Sequence, residues 1–215
     1  MGLNYEQLDA ETRRLMLEEL ELDVREGEIY RSQRLVQGKE SEYLVLLSAA
    51  IVSENDDWLA RQLVAHKILE EHELRRTPKG NVTVARVPSN AEQILAEGEF
   101  NRYYVRALCR RVEEMPGTVL EIYRAKEVDQ PRNESALRVG HEVSSIVLLA
   151  DLRTGTRVDA ALGVPSGPNS GLTVRMRRRE EGEIPPTQPI GHETAPNPPG
   201  TDYLPPPIQR GPGGG

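Results

Sequence analysis

The sequence predicts an α+β fold: a helical N-terminal part, a small mixed sheet carrying one long helix, and an extended Pro/Gly-rich C-terminal tail. Three observations lead there. Up to about residue 69 the apolar side chains recur at helical spacing, and from Asn81 β-branched runs flank one further long helical pattern. The last 36 residues, from Glu180, hold ten of the sixteen prolines, too few large apolar groups for a packed core. The chain therefore divides into a helical part over 1–79 and an α+β part over 80–179, together one compact domain, and a low-complexity tail over 180–215.

Taken in order, Asp9 reads as an N-cap and Gly27 as a C-terminal stop, enclosing Leu15, Met16, Leu20, Leu22 and Val24. Glu18, Glu19, Glu21, Asp23 and Glu26 give that helix an acidic side, expected to face solvent. Ile29 to Gly38 is a connector. A second helix follows from Ser41 to about Asn55, and Asp56 or Asp57 caps a third that carries Trp58, Leu59, Leu63, Val64, Ile68 and Leu69. Thr77-Pro78-Lys79-Gly80 closes this half with turn chemistry.

Val82, Val84 and Val87 form a strand that Pro88 stops. The long helix starts after Ser89 or Asn90, with Glu92 and Glu97 early and Arg106, Arg110 and Arg111 late, as the helix dipole favours. Ile94, Gly98, Val105, Leu108 and Val112 share one face, into which Asn101 falls; its amide must bond to backbone of a neighbouring strand or loop. The opposite face mixes Phe100, Tyr103, Tyr104 and Ala107 with arginines, so something must cover it. After Pro116-Gly117 comes a strand from Val119 to Lys126. Strand, helix and strand in that order would form a right-handed βαβ unit if the strands are parallel. Ser144 or Ser145 caps a short helix through Leu152, and Leu172 to Met176 is a last strand.

A net charge of −7 argues against a surface built throughout for the nucleic-acid backbone, though a local basic patch would still bind phosphate. One cysteine supplies neither a disulfide nor a thiolate metal site, and Cys109 sits at the apolar edge of the long helix as a packed, inert thiol. There is no basic, then apolar leader, no stretch near the ~20 apolar residues of a membrane span, and Glu6 spoils a myristoylation motif at Gly2. A cytoplasmic protein without a membrane anchor is expected.

His66, Glu70 and Glu73 could share a helical face, but the second histidine, His72, falls six residues after the first, on another side, so no metal and no cofactor is expected. Gly163 to Gly171 has glycines but no phosphate-gripping lysine. The leading reading is a non-enzymatic interaction or assembly component. Its partner-binding residues would be Phe100, Arg102, Tyr103, Tyr104, Arg106 and Arg110 on the long helix, with Tyr203, Leu204, Pro205 and Pro206 in a polyproline-like arm. Two other arrangements compete for the same residues: arginines paired within the chain to the acidic N-terminal helices, or a surface gripping nucleic acid. An enzyme of the nuclease kind would need Glu99, Glu121 and Lys126 in one cleft. The final Gly213-Gly214-Gly215 resembles the ending of ubiquitin-like modifiers, which implies a conjugation or recognition peptide.

Overall fold

Ala91–Glu113 (α4) is about 35 Å long and is covered on nearly every side, which makes it the axis of the molecule. The computed structural model describes residues 2–76, 80–165 and 170–179. Before α4 come Ala10–Glu26 (α1), Glu40–Ser53 (α2), Asp56–Ala65 (α3), His72–Arg76 (β1) and Val82–Arg86 (β2). After it come Thr118–Arg124 (β3), Asn133–Ala136 (α5), Glu142–Val143 (β4), Ser145–Arg153 (α6), Val158–Ala161 (α7) and Leu172–Arg178 (β5). The α+β class is borne out. α1, α3 and α6 pack along α4, and β3 and β5 close the remaining side. The larger apolar core runs from Leu15 on α1 to Val174 on β5, so the helical and mixed parts share one interior, and a smaller cluster of Leu3, Tyr123 and Ala125 lies under the N-terminal segment.

Local signals explain most boundaries. Asp9 accepts a 2.9 Å bond from Thr12 N–H, and Gly27 ends α1 in the left-handed region at φ 77°. Asn55, rather than Asp56 or Asp57, caps α3 through Trp58 N–H, and Ser144 caps α6 through Val147 N–H. Asn90 holds the cap position of α4 without a side-chain bond.

Three expectations need correction. The third helix stops at Ala65 instead of running through Leu69: Lys67 takes φ 49°, and Ile68 N–H reaches back to Leu63 O in a Schellman-type ending. His66, Glu70 and Glu73 therefore share no helical face. Second, Val82–Arg86 does not join the sheet beside α4. It pairs in antiparallel register with β1, a strand hidden in the sequence by its charged residues, Leu74 opposite Val84. The main sheet, in the order β4-β3-β5, is wholly antiparallel rather than mixed, and no βαβ unit forms among the described residues. Third, the acidic side of α1 is not all solvated, because Glu19 and Asp23 are buried.

The N-terminal segment seals the sheet. Asn4 N–H bonds to Ala125 O, and the Tyr123 hydroxyl donates to Asn4 O at 2.7 Å. The Gln7 amide takes both backbone groups of Met176 on the outer edge of β5, donating to its carbonyl and accepting from its N–H. One side chain so replaces a rung of a missing strand. Arg175, Arg177 and Arg179 extend β5 and its exit into a ladder of ion pairs. Glu121 and Glu142 stand directly opposite each other, an unfavourable pair that Arg177 bridges at 2.9 and 2.8 Å. Among the described residues no helix is long and apolar enough to cross a membrane.

Candidate functional site

The aromatic/arginine face of α4 is covered by the chain itself. On α1, Glu19 and Asp23 are one turn apart; on α4, Arg102, Arg106 and Arg110 are spaced likewise, so two helical stripes of opposite charge meet. Arg106, fully buried, bonds Asp23 through both terminal nitrogens at 2.7 and 2.9 Å and Glu19 through Nε at 2.9 Å. Arg153 of α6 and Arg110 close on Glu19, and the Tyr103 hydroxyl donates to Asp23 at 2.9 Å. Burial pushes the Glu19 carboxyl up, but Arg153 and Arg106 outweigh it and hold the group below its ordinary range. Phe100 and Tyr104 pack around Tyr5 with centroids 5.2 and 4.6 Å away. Phe100, Tyr103, Tyr104 and Arg106 are thus interior residues, Arg102 nearly so, and only Arg110 is part-exposed. Phe100, Tyr103 and Tyr104 present no surface to a partner.

The other sequence-derived sets separate. Asn101 donates to Leu172 O at 2.9 Å and accepts from the Thr173 hydroxyl at 2.6 Å, the backbone and strand partners that its buried amide requires. Glu121 pairs with Arg175 and Arg177 on β5, Lys126 with Glu97, and Glu99 with Arg102 at 2.8 Å. The three residues of the nuclease arrangement share no partner. Cys109 is buried, and burial pushes its thiol up. His66 bonds Glu42, and no group of three metal-binding side chains occurs among the described residues. Tyr203, Leu204, Pro205, Pro206 and the terminal glycines lie outside the described residues.

Two features missed in the sequence remain open. One is a pocket of about 160 Å³ against the N-terminal half of α4, where Ala91, Leu95, Gly98 and Arg102 form one stripe. Val158 and Leu172 face that stripe, and Glu99 and Arg157 add charge. Burial pushes the Glu99 carboxyl up to about 7, against the pull of Arg102. A glycine in mid-helix was the available signal, since it costs ~1 kcal/mol relative to alanine without some local use.

The other is the β1–β2 hairpin. Glu73 and Ala85 turn toward the body, where Arg34 holds Glu73 at 2.6 Å. The opposite face carries His72, Leu74, Arg76, Val82, Val84 and Arg86, with Leu74 75% and Val84 69% exposed. Among the described residues no helix packs extensively on it. No protein-family model, no curated protein and no solved structure matches this chain.

Proposed function

We propose that this chain is a non-enzymatic interaction or assembly component that grips a protein partner through the outer face of its β1–β2 hairpin. The carrying observation is the directly paired Leu74 and Val84, exposed together on a two-stranded ribbon, which is marginally stable in water by itself. Arg76 and Arg86 rim that pair and form no ion pair among the described residues. A basic, apolar ribbon on a chain of net charge −7 suits a partner whose surface sets carboxylates around an apolar centre. The Pro-rich stretch Tyr203-Leu204-Pro205-Pro206 would add a second, extended contact. The single cysteine supports a reducing, cytoplasmic setting.

The test is affinity capture from the native host with the intact chain, with Leu74→Ser/Val84→Ser, and with residues 180–215 removed. The captured protein is then rebound in purified form at rising salt. The double substitution is expected to weaken that purified interaction at least tenfold, and salt to weaken it further. Capture unchanged by the hairpin substitutions overturns the proposal, as does a partner that binds independently of salt. Self-association removed by the same substitutions would make the partner a second copy.

A further inference from the structure

We propose that the pocket beside α4 binds a small organic monocarboxylate with an apolar body. The first observation is Gly98. It lies in the middle of a 23-residue helix with ordinary helical backbone, and a Cβ built there would meet nothing within 4 Å. The fold itself has no need of a glycine, and alanine would favour the helix by ~1 kcal/mol. What the missing side chain provides is open pocket directly against the helix, room for a ligand's carbon skeleton between α4 and the side chains of Val158 and Leu172.

The second observation is charge and hydrogen bonding. Arg102 is 4% exposed and lines the pocket, and its Nε has no acceptor among the described residues. Arg157 stands at the same pocket and forms no ion pair among the described residues. Two of the lining acids are committed elsewhere, Glu97 to Lys126 and Asp159 to Ser170 and Arg132, while Glu99 accepts from Arg102 through Oε2. The guanidinium of Arg157, which acts on Glu99 through space without a direct ion pair, and that of Arg102 line the pocket and offer N–H donors to the two oxygens of a carboxylate. The three nearby carboxyls oppose a dianion, so a phosphate ester fits less well.

Glu99 supports this choice. Its surroundings are Arg102, Tyr103 and Arg106 on α4, Asp23 on α1, Tyr43 on α2 and Arg157 before α7. A carboxylate arriving beside it raises its proton affinity further, so the neutral acid can donate to the ligand. Binding is then accompanied by proton uptake and weakens as pH rises from 6 to 8.

The probe is isovalerate, titrated calorimetrically into the full chain at pH 6 and 8, with isoamyl alcohol, isoamylamine and inorganic phosphate as neutral, cationic and dianionic controls. Saturable binding of isovalerate in roughly the millimolar range is expected, tighter at pH 6. Gly98→Leu should abolish it and Arg157→Gln weaken it about tenfold. Gly98→Ala keeps the fold testable: its melting temperature should rise while affinity falls. Isovalerate that fails to bind, that binds Gly98→Leu as well as the parent, or that is matched by the alcohol or by phosphate, overturns the proposal.

Discussion

The α1–α4 seam and the β1–β2 hairpin are built from the same ingredients, arginines interleaved with large apolar side chains, and end in opposite environments. In the seam, Glu19 and Asp23 arrive at matching helical spacing, satisfy Arg106 on three nitrogens, and allow Tyr103 and Phe100 to be buried with it. In the hairpin, Glu73 is the only acid on either strand, and it turns toward the body, leaving Arg76, Arg86, Leu74 and Val84 outside. An arginine-rich face becomes core when the chain brings the counter-charges to it and stays surface when it does not.

Several substitutions probe that contrast. The largest effect belongs to Arg106→Ala, which takes the shared, fully buried cation from between Glu19 and Asp23; urea unfolding should show a loss of about 3–5 kcal/mol. Next comes Glu99, whose folded carboxyl titrates at about 7 against an ordinary 4.5. Between those values the fold holds a proton that the unfolded chain has lost, so this group's contribution is full below about 4.5 and is lost as pH rises through about 7. Asp56, buried and raised to about 6, adds to the same fall. Glu19 works in the opposite sense, its contribution being lost only as pH drops through its lowered value. Glu99→Gln should flatten the decline between pH 5 and 8 and gain up to about 3 kcal/mol on the parent at pH 8, read by denaturation across that range.

Asn101→Ala removes a bond to Leu172 O and orphans the Thr173 hydroxyl; a cost of about 1–3 kcal/mol is expected in the same assay. Smallest is Leu74→Ser, which should change stability by no more than about 0.5 kcal/mol because the side chain is already in water. A much larger loss there would show that the hairpin face is packed after all, and the contrast with the seam would collapse.

Much of the fold was legible because its signals are local. Asp9, Gly27 and Ser144 mark helix ends by chemistry that acts within a few residues, and the partners demanded by Asn101 follow from the cost of burying an amide. What escaped depends on contacts distant in sequence. The end of α3 uses lysine where glycine is usual, so Ile68 and Leu69 read as a continuing helix. The strand His72–Arg76 alternates little and became visible only through its pairing with β2. The covering of Tyr103 by Asp23 joins positions 80 residues apart, and helical spacing on either stretch alone does not disclose which acids turn inward. The pocket was half visible: Gly98 and Glu99 were in plain sight on α4, but Arg157 and Leu172 reach them only through the fold.

The grip of Gln7 on Met176 has a practical meaning for anyone handling the protein. β5 is the outer strand of its sheet, and the groups that Gln7 occupies are those an incoming strand would use. Replacing Gln7 with a side chain that cannot both give and accept leaves that border ready to copy itself onto a neighbour. The expected symptom is a preparation that folds and then forms strand-linked oligomers in proportion to its concentration, a failure of storage rather than of folding.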